Sequence, residues 1–182
     1  MTLPCSLRAS ATSLAAILAL AGCGRSAPTP LQPPTVPEAL RAPAGEVVTA
    51  KAAAKGSQVY ECQAAEGGYA WKLVGPDAEL SDAAGARMGK HYAGPTWEAL
   101  DGSKVVGAVA KKADAPDPGA VPWLLLTAKS TEGAGTFAKV TSIQRVDTAG
   151  GVAPAGGCDG ASTGKRQSVP YTATYYFYAR GT

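Results

Sequence analysis

Every tryptophan, tyrosine and phenylalanine in this chain lies after position 55. Large side chains build cores, so this asymmetry separates a body that can fold from an N-terminal stretch that cannot. In that stretch Pro28, Pro30, Pro33, Pro34, Pro37 and Pro43 are spaced by mostly small and polar residues. Such a segment buries too little apolar surface to offset its ordering entropy. It reads as a semi-rigid tether of polyproline character, reaching roughly 3 Å per residue, so that twenty residues span some ~60 Å. Within it Pro37-Glu38-Ala39-Leu40 is the piece able to pack back on the domain. Val47–Lys55, with its Ala52-Ala53-Ala54 run, stays open between short helix and linker.

The residues before the tether have the order of a targeting segment. Arg8 is the only charge before Arg25, and the run Ala9 to Leu20 is small and apolar. That run is too short for a bilayer span, which takes about 20 apolar residues. It ends in Leu20-Ala21-Gly22-Cys23, which resembles a bacterial lipobox, where cleavage before the cysteine follows attachment of lipid to its sulfur. The plainer alternative is a secretory signal ending near Ala21, with Cys23 a free thiol. The lipoprotein reading is preferred, because a lone cysteine at a mature N-terminus has no other evident use. Two or more acyl chains, at roughly 0.8 kcal/mol per buried methylene, hold a protein firmly on a membrane. Gly24, in place of an aspartate, points to the outer membrane facing the periplasm if the host has two membranes. The chain thus divides into a signal peptide (1–22), a lipidated proline-rich tether (23–55) and a domain (56–182).

That domain shows no sustained helical periodicity. It has short runs of β-formers broken by turn residues, as sandwiches and barrels do. Gln58–Gln63, Tyr69–Val74, Arg87–Tyr92, Thr96–Leu100, Lys104–Lys111, Trp123–Lys129, Val140–Val146 and Val169–Tyr178 read as strands. Gly75-Pro76-Asp77 reads as a turn, and Asp101-Gly102 as a hairpin turn. Leu124-Leu125-Leu126 is the continuous apolar run of a strand buried on both faces. Tyr175-Tyr176-Phe177-Tyr178 carries aromatics on both faces and belongs in the middle of a sheet. The expected fold is all-β: an antiparallel sandwich or barrel of about eight strands behind a proline-rich linker.

Charged residues make up 17% and the net charge is +3, which excludes a coiled coil and a highly charged disordered chain. The lysines and arginines are dispersed among carboxylates, so no nucleic-acid partner is indicated. Of four cysteines, Cys5 leaves with the signal and Cys23 takes the lipid. Cys62 and Cys158 remain, and in an exported chain they suggest one disulfide. Closing a loop of about 96 residues would contribute roughly 4–5 kcal/mol in the loop-entropy picture. One histidine and no Cys-x-x-Cys leave no zinc tetrad to assemble. Gly133-Ala134-Gly135 and Gly150-Gly151 do not open helices, so no phosphate loop and no cofactor is implied.

Several segments together resemble a known family. They are Gln58-Val59-Tyr60-Glu61-Cys62, Gly75-Pro76-Asp77-Ala78, the block from Gly89 to Ser103, Trp123-Leu124-Leu125-Leu126, Ile143-Gln144-Arg145-Val146-Asp147-Thr148 and Pro170-Tyr171-Thr172-Ala173-Thr174-Tyr175-Tyr176-Phe177. In this order, from about residue 38 to 178, they resemble the exported bacterial and fungal proteins grouped as domain of unknown function 3455. The resemblance implies export and a compact domain. That family has no established activity, so it supplies no catalytic residues.

The block around His91 holds the candidate ligand-binding residues His91, Tyr92, Trp97, Glu98 and Asp101. Histidine titrates near neutrality, so His91 with Asp101 or Glu98 could act as a base and its orienter in a small envelope hydrolase. Glu98 and Asp101 could also form the carboxylate pair of a carbohydrate-active enzyme. Tyr92 and Trp97 beside Gly94-Pro95 could make an aromatic platform for a sugar or peptide. Against these stands plain packing, which is accepted for Trp71 and Trp123; Arg145 and Asp147, alternating with Val146, read as a solvated strand face. No Gly-x-Ser-x-Gly elbow accompanies Ser103. The preferred expectation is a lipid-anchored, non-catalytic binding or structural module of the cell envelope. Its ligand would be a sugar, peptide or protein.

Overall fold

A computed structural model describes residues 30–181. The signal peptide, Cys23 and the tether up to Thr29 lie outside the described residues. Eight antiparallel strands form one sheet that closes on itself: β1 (Glu46–Ala65), β2 (Gly68–Ser81), β3 (Arg87–Tyr92), β4 (Thr96–Ala99), β5 (Lys104–Ala113), β6 (Trp123–Glu132), β7 (Ser142–Gly150) and β8 (Arg166–Arg180). Each strand pairs with its sequence neighbour, and β8 returns to β1 along nearly its whole length. Of the two architectures the sequence left open, the barrel is the one formed.

β1 begins ten residues before the expected domain boundary at 56. Residues 46–55, open between helix and linker, are strand because Ala50, Ala52 and Ala54 point inward and small side chains let β8 and β2 close on both sides. Gly75-Pro76-Asp77 is likewise strand and not a turn. Its punctuation marks an irregularity, where the register of β1 against β2 shifts between Val59 and Tyr60. Pro76 is tolerated there because β3 starts to pair only at Asp77, so no ladder bond to β3 is lost.

Inward positions alternate along every strand and carry the main core, with Leu80, Trp97, Val105, Ile143, Tyr175 and Phe177 in it. Outward positions such as Lys51, Lys55, Glu79 and Lys90 are charged and exposed. A barrel spanning lipid needs an apolar outer band, so this outer face is built for water.

One outer strip differs. Residues 36–42 cross it, with a short 3-10 turn at Glu38–Leu40, and Val36 and Ala42 pack on Val146, Tyr176 and Tyr178. Leu40 is fully buried, and its carbonyl accepts a hydrogen bond from Gln144 Nε2, whose Oε1 in turn accepts one from the Tyr178 hydroxyl at 2.5 Å. The Pro37–Leu40 piece therefore does pack back, and it explains why the final strand has aromatics on both faces.

The two ends of the barrel differ. At the end holding the β2–β3, β4–β5 and β6–β7 connections, Phe137 enters from the β6–β7 loop and its ring lies 4.4 Å from that of Phe177. At the other end the β1–β2 hairpin is tied to the β7–β8 loop by the Cys62–Cys158 disulfide, with Cα atoms 5.3 Å apart between residues 96 positions apart in the chain. In the same place Cys62 N donates to the Lys165 carbonyl and the Cys62 carbonyl accepts from Gly164 N, and Trp71 Nε1 donates to the Gly156 carbonyl at 2.9 Å. Trp71 is thus half-buried against that loop and not in the core where sequence placed it; the register shift turns it to face the loop. Trp123 packs on the outer strip.

Candidate functional site

His91 and Trp97 are cross-strand partners on β3 and β4, and both point into the barrel. Their rings stack at 4.3 Å with 10° between planes, and Tyr175 of β8 meets them edge-on at 5.0 and 5.3 Å. Gly107 makes room for this: a Cβ there would stand 3.0 Å from the Trp97 ring. His91 is 2% exposed, and its Nδ1 lies 2.8 Å from the Thr96 carbonyl oxygen. A carbonyl only accepts, so Nδ1 carries the proton and Nε2 presents a lone pair. Burial pushes the His91 pKa down to about 3; the bond to Thr96 opposes that shift and the charge of Arg145 adds to it. His91 is therefore a neutral imidazole over the whole ordinary pH range.

Neither carboxylate expected beside it is there. Glu98 faces outward, where it accepts from the Tyr92 hydroxyl at 2.9 Å and meets Lys90 at 3.4 Å and Lys104 at 4.0 Å. The Tyr92 bond, with help from the two lysines, holds its carboxyl below the usual range. Exposed pairs of this sort contribute little to stability. Tyr92 is thus parted from Trp97 by the strand pleat and makes no platform with it.

Asp101 sits at the closed end. Its Oδ1 accepts from Ser103 N and Oγ at 2.9 and 2.5 Å, and its Oδ2 from Thr136 N and Oγ1 at 2.8 and 2.7 Å. Four bonds, the Ser103 hydroxyl foremost, hold this carboxyl well below the usual range. Ser103 Oγ then accepts from Phe137 N at 3.0 Å. Asp101 is thus the clasp that seats Phe137, with no acceptor capacity left for catalysis. Of the five candidates His91 and Trp97 come together inside the barrel and Tyr92 and Glu98 on its outer face, and Glu98 and Asp101 form no pair.

What the two share is a cavity of about 410 Å³ at the end opposite Phe137. Every strand contributes to its wall, from Gln58 of β1 round to Tyr175 of β8. That volume falls within the range of small-molecule sites, and eight strands leave an interior that side chains fill or one small ligand occupies. The wall is mostly apolar, with Pro76, Pro95, Leu124 and Leu126 in it. At the rim Leu73 and Val109 are more than half exposed and Val74 is 38% exposed.

The polar groups in this wall are not spent on the fold. Gln58, Trp97 and Tyr175 are each at most 1% exposed, yet Gln58 Nε2 and Trp97 Nε1 have no hydrogen-bond partner among the described residues, and the Tyr175 hydroxyl lies only against Tyr171 and Arg145. Buried polar groups are normally paired, and leaving one unmade costs about 1–3 kcal/mol. Arg145 of β7 also lines the cavity. Its Nε and Nη2 donate to the Pro122 carbonyl at 3.1 and 2.8 Å, and no carboxylate pairs with it among the described residues.

Arg145 therefore does not belong to a solvated face, as alternation with Val146 suggested. Val146 is fully buried on the outside, beneath residues 36–42, and Arg145 points in beside Tyr175 and Leu124. Only Asp147 is exposed; it sits at φ 50° where the β7 register against β8 shifts. Gln58, Arg145 and Tyr175 were not singled out from sequence. A polar residue in step with the inward alanines of β1 was the available signal for Gln58.

No curated protein and no solved structure matches the chain. A family model does, over residues 43–179, a span that starts just before β1 and ends within β8. By that match the chain belongs to the family described as protein of unknown function (DUF3455).

Proposed function

We propose that this protein is a lipid-anchored cell-envelope module that holds a small, largely apolar ligand in the open end of its barrel without transforming it. The observation that carries the reading is the cavity itself: apolar walls drawn from all eight strands, an apolar rim, and buried polar groups without partners. The non-catalytic part rests on His91, which is neutral, buried and bonded to a carbonyl in place of a carboxylate.

The anchor rests on Leu20-Ala21-Gly22-Cys23 and its placement after an apolar run. With Val36 packed on the barrel, at most twelve residues (24–35) separate it from Cys23, a reach of no more than about 36 Å at roughly 3 Å per residue. Outer membrane, periplasmic face, remains the preferred address because Gly24 follows Cys23.

The neutral fluorophore N-phenyl-1-naphthylamine tests the binding reading. It should brighten saturably on the wild-type domain and fail to do so on Val109→Trp, which fills the mouth from an exposed rim position. Equal brightening on both would place the probe elsewhere and refute the cup. For the anchor, Cys23→Ser should move the protein out of the membrane fraction; retention there would refute it.

A further inference from the structure

The hydrogen-bonding sense of the cup leans toward donation. Gln58 Nε2 and Trp97 Nε1 can only donate and have no partner among the described residues, and the Tyr175 hydroxyl, which lies against Tyr171 and Arg145, can donate or accept. Arg145 adds a positive charge, and after its two bonds to Pro122 the guanidinium has N–H groups left over. The acceptors that the wall supplies in return are the His91 Nε2 lone pair, Gln58 Oε1 and the Tyr175 hydroxyl oxygen, all of them uncharged. Among the described residues no aspartate or glutamate lines the cavity. The two carboxylates expected beside His91 are committed elsewhere, Glu98 to the outer lysines and Asp101 to the clasp at the closed end.

An amine or other cation entering such a site would meet the Arg145 charge with no carboxylate to offset it. A neutral hydrocarbon would leave every donor unpaired, at a cost on each. A carboxylate would accept from several donors at once and neutralise Arg145. Arginine suits this role because its planar fork matches a carboxylate and stays charged at any working pH.

We infer that the cup takes an apolar carboxylate, its ring or chain against Leu124, Leu126 and Pro95 and its anionic head among Arg145, Gln58 and Tyr175. The inference rests on the cup reading above and deepens it. Gln58 and Arg145 are then the residues that set ligand class, while the walls set size.

Three probes of one ring system and different charge separate the possibilities: 2-naphthoate, 2-naphthylmethanol and 2-naphthylmethylammonium, titrated calorimetrically into the wild-type domain. Naphthoate should bind about tenfold or more tighter than the alcohol, as a charge-assisted bond predicts, and the ammonium should be weakest. Arg145→Gln should remove that margin and leave the alcohol within about twofold of its wild-type affinity. Because Arg145 also holds Pro122, Gln58→Glu serves as a second variant; its added negative charge should weaken naphthoate and favour the ammonium. If the alcohol binds as tightly as naphthoate, or the ammonium binds best, the carboxylate assignment is overturned and the cup stands. If none of the three binds and N-phenyl-1-naphthylamine does not either, both readings fall together.

Discussion

The two ends of this barrel are built from the same eight strands and solve the same packing problem in opposite ways. At one end a loop folds in, Phe137 fills the axis, and the polar groups that bring it there are all satisfied: Asp101 accepts four bonds and Ser103 relays one to Phe137 N. At the other end the loops are laid over the side and pinned down. The Thr148 hydroxyl donates to Val121 O at 2.6 Å, the Tyr60 hydroxyl to Gly151 O at 2.6 Å, and Cys62 is bonded to Cys158. Among the described residues no loop enters the axis there, and Gln58 Nε2 and Trp97 Nε1 remain unpaired. Proteins tend to break the rules of packing and polar satisfaction where function requires it. The closed end is a floor, and the open end is where the proposed site lies.

Replacing the floor should have the largest effect. Phe137→Ala should destabilise the domain by about 3–5 kcal/mol in denaturant unfolding, as for other buried aromatics. Leu73→Ala on the exposed rim should stay within about 0.5 kcal/mol of wild type. Equal losses at the two positions would erase the distinction between the ends.

Acid provides the next contrast. His91 has a folded pKa of about 3, below its ordinary value, so the unfolded chain takes up its proton first. Its contribution is fully present above about pH 6.5 and is lost as pH falls toward 3. Between pH 6.5 and 4.5 the loss should reach roughly 3 kcal/mol, at 1.36 kcal/mol per unit. Below about pH 4 the carboxylates of Asp101 and Glu98 join in, since their lowered values make them lose stability on protonation. His91→Phe, which keeps the ring in the stack, should flatten the curve above pH 4.5. A wild-type curve already flat there would mean that water or a counter-charge reaches His91 when the protein is folded.

The smallest effect is expected at an unpaired donor. Gln58→Met removes a buried amide with no partner, so stability should stay level or rise by about 1 kcal/mol. A loss of 2 kcal/mol or more, on the scale of an unmade buried bond, would show that Gln58 serves the fold and not the cup.

The strand punctuation was plain in the sequence, and β3 carries the same bounds in both readings. The disulfide was legible by elimination. The first half of β1 was not, because Ala52-Ala53-Ala54 has no β-signature of its own and becomes strand only through its neighbours β2 and β8. The face of Arg145 was hidden for a related reason. Polar–apolar alternation reports inside and outside only when the outside is wet, and residues 36–42 keep it dry over β7. His91 and Trp97 stood out as residues. Gln58 and Tyr175, which complete the site with them, lie 117 positions apart in the chain and meet only when β8 closes on β1.

The most direct test reads the unpaired donors themselves. In a ¹H–¹⁵N spectrum of the labelled protein, the Trp97 indole N–H and the Gln58 side-chain amide give their own signals. Titration with 2-naphthoate should move both along one saturation curve, while the indoles of Trp71, bonded to Gly156, and of Trp123, on the outer strip, hold still. Shifts at Trp71 or Trp123 with Trp97 and Gln58 unmoved would contradict a ligand site inside the barrel.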